Sequence, residues 1–225
     1  MKKFLTAAVA AAVVALPALS DPNHDKITKG YNTMDAMGCM LLRECTDGTD
    51  EVFSLLDISS EYPNTEEFTF LSAEFNTMLM ALNQVGVKVF LADEKYFPDQ
   101  HRGVYHTVSN NFFLNRKYMG QPHVLMQVMR HEGWHAAQDC MAGSIKNSLI
   151  AIIKPEDEVP MIWRVMAERT YPESAVPWEA EAGWAGHTES MTMQALQSCA
   201  RGKMWEDYDP TPMTREWLEE NGYIK

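Results

Sequence analysis

The stretch MRHEGWHAAQDC, Met129 to Cys140, decides how the rest of the chain is organised. It places His131 and His135 four residues apart, with Glu132 directly after the first. On a helix, residues four apart share a face. With Val128 set to zero and about 100° per residue, Val124 falls near −40°, His135 near −20°, His131 near −60° and Glu132 near +40°. Both imidazoles therefore lie on the stripe that carries the valines, and they point inward with Glu132 at their flank. An imidazole that faces a core needs a polar partner. A divalent metal supplies one partner to both.

The spacing is that of the pattern H-E-x-x-H. Two imidazole nitrogens take two corners of a zinc tetrahedron, and the glutamate sits too far round to ligate but can take a proton from a water at the metal. The surrounding segment GQPHVLMQVMRHEGWHAAQDCMAG predicts a helix from near Pro122 to Gly143.

Working toward the N-terminus, GVYHTV and NNFFLN (103–115) are short β-rich runs joined at Ser109-Asn110, and VKVFLA (87–92) is another. NTEEFTFLSAEFNTMLMALNQVG predicts an amphipathic helix ending at Gly86. Asn64 or Thr65 caps it, Glu66 and Glu67 lie in its first turn, and Phe68, Leu71, Phe75, Met78 and Leu82 form its apolar stripe. Residues 21–65 are polar and rich in turns. Two short helices are expected there, in YNTMDAMGCMLLREC and EVFSLLDI.

Toward the C-terminus, SIKNSLIAII and DEVPMIWRVMAERTY each predict a helix. WEAEAGWAGHTESMTMQALQSCARG predicts one long helix, bent at Gly183 or Gly186, and TREWLEENGYIK a short capping helix. The order is helix, small sheet, then helices. The fold class is α+β, mainly helical, with the small sheet preceding the histidine helix.

The chain has 225 residues, 46% hydrophobic and 22% charged, which suits one globular domain with a core of its own. Residues 1–20, MKKFLTAAVAAAVVALPALS, read as a signal peptide: Lys2 and Lys3, an Ala/Val run, then Ala18 and Ser20 as the small residues before a cut at Asp21. Residues 21–225 then form the mature domain, with 21–65 either a removable pro-segment or an integral part of it. Cleavage removes two lysines, so the net charge of −12 becomes −14. Such a chain repels phosphate backbones and shows no basic stripe, so nucleic acid is excluded as a partner. No membrane span is expected after cleavage, and the product is exported, periplasmic or secreted. The four cysteines Cys39, Cys45, Cys140 and Cys199 fit two disulfides in an oxidising compartment. Closeness in sequence favours Cys39–Cys45, which leaves Cys140–Cys199. No C-x-x-C pair suggests a cysteine metal site.

A hydrolytic zinc site needs a third protein ligand. The pattern with a Gly and a further His in the same segment is excluded, because Gln138 and Met141 occupy those places. The later segment PWEAEAGWAGH offers Glu179, Glu181 and His187. At this point the chain resembles the gluzincins, zinc metallopeptidases with H-E-x-x-H on one helix and a glutamate on the next. HEGWHAAQD is similar to their active helix, including an aspartate four residues after the second histidine, here Asp139. Their glutamate helix commonly reads E-x-x-[AS]-D. EAEAG fits that with Glu179 as ligand and Ala182 as the small residue, but Gly183 stands where the aspartate would orient a ligating histidine. That departure leaves Glu181 as the alternate ligand. The two glutamates sit about 200° apart on a helix, so one alone can face the metal.

The resemblance covers roughly residues 103–187. It implies a zincin-like fold, one Zn²⁺ per chain held by His131, His135 and Glu179, Glu132 as general base, and a peptide or protein substrate. It also implies a His or Tyr that steadies the oxyanion, for which His187, Tyr171 and His106 are the candidates, and an edge strand beside the metal, for which GVYHTVSNNFFLN is the candidate. Trp134, Trp178 and Trp184 are expected to form a dry wall round the site. The contrasting expectation is a catalytically inactive binding protein that keeps the zincin fold, which the missing aspartate favours.

Overall fold

The computed structural model describes residues 35–143, 149–209 and 219–220. The signal peptide, the start of the 21–65 segment, residues 144–148 and most of the expected C-terminal helix lie outside the described residues. Glu219 and Glu220 are helical.

Chain order sets the architecture: α1 (Ala36–Leu41), β1 (Thr49–Glu51), α2 (Leu55–Ser59), α3 (Ser72–Gln84), β2 (Lys88–Ala92), β3 (Gly103–His106), β4 (Asn111–Asn115), α4 (Pro122–Met141), α5 (Met161–Thr170), α6 (Val176–Gly186), α7 (Met191–Ala200) and α8 (Met204–Asp207). The described chain is mainly helical with one small mixed sheet, an α+β arrangement. The sheet runs β1-β2-β4-β3. β2 and β4 are parallel, and β1 and β3 pair antiparallel at the two edges.

Alternation along the strands splits the core into two layers. Val89 and Leu91 of β2, with Phe112 and Leu114 of β4, face α3 and α4 in the main core. Phe90, Ala92 and Phe113 face the other way, onto Met40 of α1 and Tyr96. Both faces of the central strands are thus covered, which is why VKVFLA and NNFFLN read as continuous apolar runs rather than alternating ones.

The expected stripe of Phe68, Leu71, Phe75, Met78 and Leu82 is buried along its length. Its first part, Thr65–Leu71, winds as a 3-10 helix before α3 begins. EVFSLLDI, expected as one helix, instead opens at the end of β1 and turns into α2. The Asp57 carboxylate accepts from the Ser54 N–H at 2.8 Å and fixes that turn. Residues 35–65 supply one edge of the sheet, and they send Val52, Leu55 and Ile58 into the main core.

Two helix expectations are corrected. Of the expected helix SIKNSLIAII, the described residues 149–153 are neither helix nor strand. Their N–H groups are drawn sideways onto the helices, Ala151 to the Gln138 main-chain carbonyl at 3.1 Å and Ile153 to the Glu181 carboxylate at 2.9 Å. The long helix expected from Trp178 to Gly202 is two, α6 and α7, broken after Gly186. Ser190 adopts a left-handed φ of 63° at the break, and its N–H is donated to Glu74 at 3.2 Å. Glu74 also takes Arg130 of α4 through Nε at 2.8 Å and Nη2 at 2.6 Å. The break lets both helices pack on α4.

Helix α4 is the axis of the domain. Trp134, Ala136 and Ala137 are fully buried at its centre. Burying a large apolar side chain of this kind contributes about 1.5–3 kcal/mol. Two disulfides complete the frame. Cys39–Cys45 closes the turn after α1, and Cys140–Cys199 ties the last turn of α4 to the last turn of α7. They fit a protein of an oxidising compartment. Among the described residues, no helix is long and apolar enough to cross a membrane.

Candidate metal centre

α4 presents His131 and His135 on successive turns, with ring centroids 5.0 Å apart and planes at 84°. α6 crosses α4 at this level. Gly186 permits the approach, because a Cβ there would lie 3.2 Å from the Gln127 carbonyl oxygen and 3.4 Å from His131 Cβ. The crossing brings Glu179 over both rings. Its Oε2 lies 3.4 Å from His131 Nε2 and 3.7 Å from His135 Nε2. One ligand atom from each of the three lies within 4.8 Å of the others, so the group can hold a metal ion.

Two observations say that the pocket fits a cation. Oε2 of Glu179 is buried and has no hydrogen-bond partner, a costly state for a carboxylate oxygen unless something positive meets it. The titration behaviour agrees. Burial alone would raise the Glu179 pKa, but His131 and His135 outweigh it and hold the carboxyl well below the usual range. Burial alone would lower His135, but Glu179, Glu132 and Gln138 outweigh it and raise the ring from 6.5 to about 9. Positive charge between these groups is stabilised, whether it arrives as a proton or as a metal ion.

Glu181 is not part of this group. It is 1% exposed and faces the other side of α6. Its carboxylate accepts from Trp134 Nε1 at 3.1 Å, Gln138 Nε2 at 2.7 Å, Ile153 N at 2.9 Å and Lys154 N at 2.5 Å. Four donors occupy the oxygens that a ligand would need free. Gly183 also has a local reason. A Cβ there would stand 3.2 Å from Trp163, whose ring lies against His187 at 4.4 Å, so a side chain where the aspartate was expected would press on that ring.

Glu132 points beside the histidines into a cleft of about 500 Å³, shared with His131, Tyr171, His187, Arg102 and Gly103. One of its oxygens, Oε2, accepts from the Tyr105 N–H at 2.9 Å. β3 is an edge strand as expected, but this outward N–H is directed at α4 rather than left for an incoming strand. The Tyr105 hydroxyl donates to Asp139 at 2.7 Å, so one residue fastens the strand to two carboxylates of α4 two turns apart. Gly103 makes the contact possible. A Cβ there would lie 2.5 Å from Val128 Cγ1 and 3.2 Å from Glu132 Cγ. Gly103→Ala is expected to lower stability by about 1–3 kcal/mol through overpacking and to speed amide exchange at Tyr105. An unchanged melting temperature would show that the strand does not need this approach.

Of the oxyanion candidates, the structure brings Tyr171 and His187 to the cleft and leaves His106 out of it. Tyr171 lies beside Glu179. Burial, then the charges of Glu179 and Glu132, push its pKa well up, so its hydroxyl keeps its proton as a donor. His187 Nδ1 lies 3.0 Å from the Gly183 carbonyl oxygen, and Nε2 is its other ring nitrogen. His106 Nδ1 instead meets Ser109 Oγ at 2.8 Å. The expected tryptophan wall is absent from the cleft lining. Trp134 is in the core and Trp184 packs with the α5–α6 cluster, while the Trp178 carbonyl accepts from Gln138. Sequence reasoning treated Gln138 only as an excluded place. The missed signal was its spacing of three from His135, which puts both on one helix face. No protein-family model, no curated protein and no solved structure matches this chain.

Proposed function

We propose that the chain is an exported, periplasmic or secreted zinc-dependent peptidase with a zincin-like fold of gluzincin type. The observation that carries this reading is the unpartnered Glu179 oxygen set between two imidazole nitrogens, with Glu132 alongside in an open cleft. A tetrahedron with metal–ligand bonds of about 2.0–2.2 Å has edges of about 3.4 Å. The two nitrogen–oxygen separations of 3.4 and 3.7 Å support that donor set. Two imidazoles and one carboxylate leave a fourth position for water, as hydrolytic zinc requires.

When bound, zinc would polarise the scissile carbonyl and make a neighbouring water acidic near neutral pH. Glu132 takes the proton of the attacking water and returns it to the leaving amine nitrogen. The Tyr105 N–H holds one carboxylate oxygen of Glu132 and sets the angle of the other. Tyr171 and His187, which line the same cleft, would supply the donor that steadies the carbonyl oxygen as it gains charge. The substrate is a peptide or protein.

A second reading is a binding protein that keeps the zincin fold and the metal but does not hydrolyse. The observation on its side is the Tyr105 bond, which engages the base already. Elemental analysis of the mature protein, followed by a peptide library with and without chelator, separates these readings. About one zinc per chain, lost in His135→Ala, with chelator-sensitive cleavage, is the expected result. Zinc without cleavage of any peptide favours the binding protein, and absence of metal after zinc is offered removes both.

A further inference from the structure

We infer that Gln138 and Glu181 are positioning residues for the metal: through them the main chain at Ile153 and Lys154 sets which nitrogen of His135 is free to ligate. The inference rests on the metal centre proposed above, but not on any peptidase activity.

The argument is one of donors and acceptors. The Ile153 and Lys154 N–H groups and the Trp134 indole N–H can only donate, and all three point at the Glu181 carboxylate, at 2.9, 2.5 and 3.1 Å. Their partner must be a pure acceptor. The Gln138 side chain therefore turns its NH₂ toward Glu181, at 2.7 Å. The Trp178 carbonyl, at 3.1 Å from the same nitrogen, makes the same demand. Two acceptors thus settle which way the Gln138 amide faces. Its oxygen must face the other way, and it lies 2.8 Å from His135 Nδ1. An amide oxygen accepts, so Nδ1 must carry the hydrogen. The nitrogen left to give its lone pair to a metal is then Nε2, which faces Glu179. All of these groups are held without slack: Gln138 and Trp134 are 0% exposed and Glu181 1%.

Metal-ligating histidines commonly donate their second nitrogen to a carboxylate or carbonyl. Here an amide takes that place, and a carboxylate behind it orients the amide. This accounts for a glutamate at 181, where glutamine would be nearly the same shape. In Glu181→Gln the new amide must keep its oxygen for the Ile153 and Lys154 N–H groups. Its own NH₂ then meets the Gln138 NH₂ and the Trp134 N–H, donor against donor. Gln138 can relieve this only by a flip that sets its oxygen against the Trp178 carbonyl and its NH₂ against His135 Nδ1, so either arrangement weakens the hold on that ring.

The test starts with the unmodified protein loaded with zinc. Long-range ¹H–¹⁵N correlation of the imidazoles is expected to show His135 protonated at Nδ1 and bound to the metal through Nε2. Zinc bound through Nδ1, or no zinc bound at all, overturns the inference. Glu181→Gln and Gln138→Met are then titrated with zinc against a competing chelator, with circular dichroism to confirm the fold. Each is expected to weaken affinity about 10–100-fold, the usual effect of removing a partner behind a ligand. The reciprocal effect follows by linkage: zinc slows amide exchange at Ile153 and Lys154 in the unmodified protein, and does so less in Gln138→Met. Affinities within twofold of the unmodified protein in both variants overturn the inference. So does amide exchange at Ile153 and Lys154 that ignores zinc in the unmodified protein, a measurement that needs no variant to fold. Failure to cleave peptides would count against the proposed activity and leave these readouts intact.

Discussion

On the proposed peptidase mechanism, Glu132→Gln is expected to lower kcat by about 10²–10⁴-fold, the usual contribution of a positioned general base, while zinc stays bound at one per chain. Glutamine has nearly the shape of glutamate. Its side-chain oxygen can still accept the Tyr105 N–H that Glu132 now holds at 2.9 Å. What it lacks is a site for the proton of the attacking water. Because Glu132 is not among the ligands, metal affinity and thermal stability should barely move, and KM should stay within a few-fold. Kinetics on metal-quantified protein check this. Activity comparable to that of the unmodified protein would mean that another group takes the proton. A loss of metal would mean that Glu132 belongs to the ligand set.

The second large effect concerns the frame. Cys140 and Cys199 close a loop across a separation of 59 residues. Removing that bond with paired alanines is expected to cost about 4 kcal/mol on the chain-entropy model. The same treatment of Cys39 and Cys45, six residues apart, costs about 2 kcal/mol. The ranking is sharper than either number. The longer bridge also begins five residues after His135, so its loss should loosen the end of α4 and weaken metal binding. The shorter one should leave the metal untouched. Denaturant melts of the two double variants, with zinc titrations, measure both effects. An order in which Cys39–Cys45 matters more would show that the α4–α7 packing holds without its covalent tie.

How far the sequence foretold this structure depended on how local the cause was. The facing of His131, His135 and Glu132 follows from helical periodicity alone, and the α3 stripe from Phe68 to Leu82 does too. The cysteine pairing followed from proximity. β1 was missed because three residues show no alternation and gain strand geometry only by pairing with β2. Leu149–Ile153 was misread as helix because its apolar run is helix-like in isolation, whereas its N–H groups go to Gln138 and Glu181 on other elements. The choice between Glu179 and Glu181 was open for the same reason. A helical wheel says that one alone can meet the metal, but the side of α6 that meets α4 is a tertiary fact, set in part by Gly186.

The meeting of α4 and α6 would also make a metal held there a gauge of time and order. The two imidazoles stand one turn apart on a single helix, and any chain that winds α4 has them. The carboxylate comes from 44 residues beyond the second imidazole and arrives only when α6 has docked. With the proposed metal, full-strength capture would be a late event in the life of each molecule, and metal release on warming would report the loosening of this one crossing of two helices.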